Sequence, residues 1–206
     1  MKRRIFMSLT ILLTIWIGYR GYRMTTTRSH SPEKIIKSSY EDLEISVTYG
    51  SPYKKGRVIF GEAKDRPWLP KGNFWTNGFR ALTGLPRTTG ALVPNGKYWR
   101  LGANDATEIS FDKNINFADK PVNAGRYRMY AVPNHNTWHI TLNSELGKFG
   151  YYEPNHSRDV ATIEVPVEMA PTEVEQFTIS FDKDSSGVKM NLMWDRTLVR
   201  VPLRIQ

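Results

Sequence analysis

The chain has no cysteine, so disulfide cross-links, thiolate metal sites and a lipidated cysteine are all excluded. It has only four histidines, and none stands at a spacing known for a metal site. His135 and His139 bracket Trp138 on a hairpin, not on one helical face. His156 follows a Pro154-Asn155 turn, near Glu153 and Asp159. There is no nucleophile-elbow motif, and no long helical period follows residue 40. Glu164, Glu168, Glu173 and Glu175 read as a solvated strand edge rather than as a pair of glycosidase carboxylates. The expectation is a protein without metal and without cofactor.

Acidic residues are the minority, with 29 lysines and arginines against 20 aspartates and glutamates and a net charge of +9. The surplus is local. Residues 1–30 hold six basic residues (Lys2, Arg3, Arg4, Arg20, Arg23, Arg28) and no acid. Residues 62–90 hold Lys64, Arg66, Lys71, Arg80 and Arg87 against Glu62 and Asp65. The rest of the chain is balanced, so a basic stripe along a phosphate backbone is not expected, and neither is nucleic acid as a partner.

Lys2-Arg3-Arg4 precedes an apolar run over residues 5–19, a charged region followed by a hydrophobic one. Fifteen helical residues span about 22 Å, short of the roughly 30 Å hydrocarbon core. Length therefore favours a signal peptide. The downstream flank lacks a small-x-small cleavage pattern, and Trp16, Tyr19 and Tyr22 suit an interfacial aromatic belt with Arg20 snorkelling. The segment at 1–22 is read as a signal-anchor or signal peptide that meets the membrane through residues 5–22. A polar linker follows at 23–39. The main domain then lies outside the cytoplasm, tethered in the cell envelope, or is secreted if the leader is cleaved.

From Glu44 the pattern has period two. Ile45, Val47 and Tyr49 alternate with polar residues, as do Ile109 and Phe111, and Trp138, Ile140 and Leu142. Later come Ala161 to Val167, Phe177 to Phe181, Met190 to Trp194 and Val199 to Ile205. Such alternation marks strands with one buried face. Turn chemistry separates them at Pro94-Asn95-Gly96, Asn123-Ala124-Gly125, Pro133-Asn134 and Asp184-Ser185-Ser186-Gly187. The expected fold is all-β, an antiparallel, jelly-roll-like β-sandwich over residues 40–206. Pro166 and Pro202 lack donors and are expected at edges or bulges. Residues 62–90, rich in glycine, proline and aromatics, read as an inserted loop that either packs on the domain or contacts lipid or a partner.

Three blocks now fall into a known pattern. The first carries Tyr49-Gly50-Ser51-Pro52, Arg57 and Phe60-Gly61. The second runs from Leu92-Val93-Pro94-Asn95-Gly96-Lys97 through Tyr98-Trp99-Arg100-Leu101-Gly102-Ala103-Asn104-Asp105-Ala106-Thr107. The third is Ala124-Gly125-Arg126-Tyr127, followed by Val132-Pro133 and Trp138. Together they resemble the domain of unknown function 2911 family over roughly residues 40–206. The resemblance implies a secreted or envelope-associated β domain with no agreed activity or cofactor, whose recurring polar positions are Arg57, Trp99, Arg100, Asn104 and Thr107. Three departures stand out: Ser51 where members often have arginine, Asp105 where they often have glutamate, and the insertion at 62–90.

The second block supplies the candidate ligand-binding residues, with Arg57 joining them. Arg100 offers a planar donor fork for a carboxylate or phosphate. Trp99 offers a flat face for a sugar ring or cation. Asn104 offers a donor and an acceptor, and Asp105 and Thr107 complete the set. The alternative is a structural loop in which Arg100 pairs with Asp105 or Glu108, Trp99 fills the core and Asn104 caps a turn. The leading functional expectation is binding of a polar ligand, a glycan or an anionic small molecule. A hydrolase or isomerase using the same motif beside a histidine, and a structural or assembly protein, are the alternatives.

Overall fold

The computed structural model describes residues 10–11, 13–19, 21–22, 29–65, 88–147, 149–185 and 187–206. Among them thirteen strands follow one another. They are β1 (Glu33–Tyr40), β2 (Leu43–Gly50), β3 (Phe60–Gly61), β4 (Ala63–Asp65), β5 (Thr88–Gly90), β6 (Val93–Pro94) and β7 (Thr107–Phe111). After these come β8 (Ile115–Phe117), β9 (Lys120–Val122), β10 (Gly125–Pro133), β11 (Thr137–Asn143), β12 (Asp159–Asp184) and β13 (Gly187–Ile205). A short 3-10 turn, His156–Arg158, precedes β12.

Nine strands form one antiparallel sheet in the order β1-β2-β7-β10-β11-β12-β13-β8-β9. The period-two runs bury one face as expected: Leu43, Ile45, Val47 and Tyr49 on β2, and Ile109 and Phe111 on β7. What periodicity did not reveal is continuity. The runs at 161–167 and 177–181 belong to a single strand, β12, and those at 190–194 and 199–205 to β13. Register shifts near Met169, Val174 and Thr178 interrupt the β12–β13 ladder, so the apolar alternation breaks while the strand goes on.

β12 pairs with β11 through Pro166 and with β13 from Val167 onward. Pro166 stands at this change of partner, where a missing N–H breaks no ladder. Pro202 occupies the same kind of position on β13, between its pairing with β12 and with β8. By passing between partners, β12 lets the two ends of the sheet cover one core. Tyr49 of β2 meets Phe177 of β12 edge to face, centroids 5.6 Å apart. Trp99 packs at 5.5 Å on Trp138 of β11 and at 6.0 Å, nearly parallel, on Trp194 of β13. Burying such a side chain contributes about 1.5–3 kcal/mol, so this aromatic cluster is a principal source of stability.

Two segments differ from the sequence reading. Part of the polar stretch assigned to a linker is β1, paired with β2 from Glu33 to Tyr40. Its polar composition hid it, because as an edge strand it buries only Ser38 fully. The insertion at 62–90 has a paired stem, β4 against β5, while β3 and β6 run parallel beside it. Residues 66–87 lie outside the described residues, as does part of the expected leader. Among the described residues no helix is long and apolar enough to cross a membrane.

Candidate functional site

The second block folds into an irregular loop between β6 and β7. Trp99 anchors its start: its N–H donates to Ala131 O and its carbonyl accepts from Ala131 N, each at 2.8 Å. Leu101 takes a positive φ of 53° with its side chain wholly buried. A branched residue reaches that region only when packing compensates the strain. Thr107 Oγ1 closes the loop by donating to Leu101 O at 2.7 Å, and Thr107 is itself buried. Trp99 and Thr107, expected to touch a ligand, therefore face the interior, because their apolar and hydrogen-bonding surfaces are used by the fold.

The loop also locks onto the first block. Ala103 N donates to Gly50 O at 3.3 Å, and a Cβ on Gly50 would collide with the Ala103 carbonyl. Ser51, standing where relatives of the pattern often carry arginine, is fully buried. Its hydroxyl donates to Phe177 O at 2.5 Å, its N–H to Pro32 O at 2.9 Å, and its carbonyl accepts from Gln176 Nε2 at 2.9 Å. The serine thus ties β2 to β12 and to the start of β1.

Two adjoining cavities open on the outer side of this junction. One, of about 140 Å³, is lined by Ser31, Glu33, Gly50, Ala103, Asn104 and Asp105. The other, of about 220 Å³, shares Glu33 and Asp105 and adds Thr48, Glu108 and Arg126. Asn104 holds a positive φ of 62°, which asparagine tolerates better than most residues. Its Nδ2 donates to Ser31 O at 3.2 Å, leaving its side-chain oxygen toward other uses. Glu108 is paired with Arg126 at 2.5 Å and also accepts from Gly147 N at 3.0 Å. No histidine lines either cavity. Among the described residues no group of three or more histidines and carboxylates could hold a metal ion.

Arg57 is not brought to this groove. Its Nε donates to Lys54 O at 2.9 Å and its Nη2 to Tyr53 O, so it caps its own turn. Arg100 does not pair with Asp105 or Glu108. Its Nη1 reaches Asn104 O at 3.4 Å, and its guanidinium lies 5.7 Å from the Phe149 ring centre. Burial pulls its pKa down, with Arg128 pushing the same way against Tyr98, Tyr151 and Asp105.

A polar cluster that sequence reasoning missed lies on the outer face of β10. Tyr127, Met129 and Ala131 point into the core, so Arg128 and Tyr130 were legible only as solvent-facing residues. The segment before β12 covers them instead. Tyr98 Oη donates to Gly150 O at 2.9 Å, and Arg128 Nη2 donates to Tyr98 Oη and Tyr152 O. The Tyr130 hydroxyl donates to Asp159 Oδ2 at 2.9 Å and lies 3.0 Å from His156 Nδ1. Burial pushes the Tyr130 phenol well above its ordinary value, and Asp159 adds to the shift. The one sequence signal here was the nearness of His156 to Asp159.

The family described as "Protein of unknown function (DUF2911)" matches residues 86–203. The match takes in the second and third blocks. The first block, at 47–61, lies outside it. No curated protein and no solved structure matches the chain.

Proposed function

The chain belongs to the DUF2911 family of proteins of unknown function, and on that premise we propose that it is a ligand-binding domain of the cell envelope whose ligand is a neutral, polyhydroxylated molecule of the glycan class. The observation that carries the reading is the pair of cavities sharing Glu33 and Asp105 beside the motif loop. Carboxylates accept hydrogen bonds from paired hydroxyls, and Asn104 adds a side-chain carbonyl oxygen. The lining favours one of the two ligand types the sequence left open. Among the described lining residues Glu33, Asp105 and Glu108 are the acids and Arg126 the cation, and Arg126 is already paired with Glu108. An anion there would meet like charge at a cost of about 1–4 kcal/mol per close pair. A neutral sugar meets none.

In this reading the nine strands pack as a jelly-roll-like sandwich, and the motif has divided labour. Trp99, Leu101 and Thr107 hold the loop, while Asn104 and Asp105 present it. The basic, apolar leader supports an envelope location, tethered or secreted. The test is calorimetric titration of the full chain with neutral oligosaccharides. Binding by the parent chain, weakened at least tenfold in Asn104→Ala and Asp105→Ala, is expected. Heat from no oligosaccharide, or equal binding by both variants, overturns the reading.

A further inference from the structure

Arg128 is fully buried, yet its Nε and Nη1 have no hydrogen-bond partner. A guanidinium carries five N–H donors and no acceptor. Here only Nη2 is engaged, by the Tyr98 hydroxyl and the Tyr152 carbonyl. The Tyr98 ring lies 5.8 Å from the guanidinium carbon, a cation–π contact that offsets part of the buried charge. Among the described residues no carboxylate pairs with it. A buried charge left without a countercharge is strongly unfavourable, and a fold retains one where something else completes it.

A second guanidinium is close by. Gly150, whose carbonyl accepts from Tyr98, packs so tightly on Arg100 that a Cβ there would lie 2.5 Å from Arg100 Cδ. Tyr98 and Gly150 thus connect Arg128 to Arg100. Among the described residues Arg100 makes one hydrogen bond, the 3.4 Å contact to Asn104 O, and the field of Asp105 reaches it without an ion pair between the two. Arg128 is buried and Arg100 half-buried, and two such neighbouring cations repel each other unless an anion joins them.

We propose that Arg128 and Arg100 form a site for a small oxoanion, a carboxylate or phosphate group carried by a small molecule. The site is separate from the glycan groove, among whose lining residues neither arginine appears. Planar guanidinium donors match the oxygens of such a group. The segment carrying Phe149, Tyr151 and Tyr152 covers Arg128. It is held there through the Gly150 and Tyr152 carbonyls, so an entering oxoanion replaces the Tyr152 carbonyl as acceptor and the segment lifts. Tyr151 and Tyr152, both largely exposed, stand at the mouth that this opens.

The experiment is thermal melting of the full chain in sodium phosphate, acetate, glucuronate or glucose, each at the ionic strength of a sodium chloride control. At least one oxoanion is expected to raise the Tm in proportion to the logarithm of its concentration. Arg128→Met is expected to melt no lower than the parent chain in chloride and to lose the response, and Arg100→Gln to lose most of it. Phosphate against acetate identifies the oxoanion, and glucuronate above acetate identifies an acidic sugar as its carrier. A response to glucose belongs to the groove and disappears in Asn104→Ala rather than in Arg100→Gln. Should Arg128→Met fail to fold, Arg100→Gln decides. No rise with any oxoanion, or an undiminished rise in Arg100→Gln, overturns the proposal.

Discussion

Ala103 donates its main-chain N–H to the carbonyl of Gly50 across 3.3 Å, and no side chain fits between the two. This contact joins the blocks that gave the sequence its pattern. It explains their residues mechanically: glycine at 50 because the Ala103 carbonyl occupies the place of a Cβ, glycine at 102 because the Gly50 carbonyl occupies the corresponding place and φ is 149° there.

Gly50→Ala is therefore expected to force the motif loop off β2. Overpacking of this kind costs about 1–3 kcal/mol, and a main-chain neighbour yields less than a flexible side chain. Urea unfolding should show a lower midpoint for this variant. A midpoint within error of the parent chain would mean that loop and strand are not locked.

Thr107 and Asn104 should behave differently although both belong to the motif. Thr107→Val removes the 2.7 Å bond to Leu101 O and leaves a buried carbonyl unsatisfied, a loss of about 1–3 kcal/mol. Asn104→Ala removes a part-buried 3.2 Å bond and is expected to cost about 0.5–1.5 kcal/mol. Parallel melts of the two variants check this, and a larger loss for Asn104→Ala would reverse the assignment of structural and presenting roles.

The buried phenols set the alkaline limit. Burial raises the pKa of Tyr49, Tyr98 and Tyr130 in the folded chain, while the unfolded chain titrates near 10. Above that value the folded state holds more protons than the unfolded one. Stability is therefore full below about pH 10 and falls as the pH rises further. Tyrosinate absorbance should show a late-titrating fraction among the ten tyrosines, reduced in Tyr130→Phe. A single transition of all ten near pH 10 would contradict it.

The leader gives a fourth expectation. If it anchors the domain, intact-mass analysis of the cell-derived protein recovers residues 1–22, and the protein sediments with membranes. A new N-terminus between about residues 20 and 30 would identify a cleaved signal instead.

Where the sequence was legible, one physical rule made it so. Side chains of a half-buried strand must alternate, and Ile45, Val47, Tyr49, Ile109, Phe111, Trp138 and Ile140 do. β1 escaped because an edge strand buries little. The continuity of β12 escaped because irregular pairing at Met169 and Val174 interrupts the alternation without ending the strand. The motif was visible as a pattern, but its division of labour was not. Nothing in the order of residues says that Trp99 and Thr107 turn inward while Asn104 and Asp105 turn out.

Composition and periodicity by themselves determined a mostly β chain without thiol chemistry, with its excess charge confined to residues 1–30 and 62–90. Those properties depend on neighbours along the chain. Only the tertiary structure decided that Arg128, on the outward face of its strand, is covered by the segment from 149 to 152 and left with unpaired donors. Burial and pairing depend on which distant segment folds over a residue, and alternation records only which face of the strand it occupies.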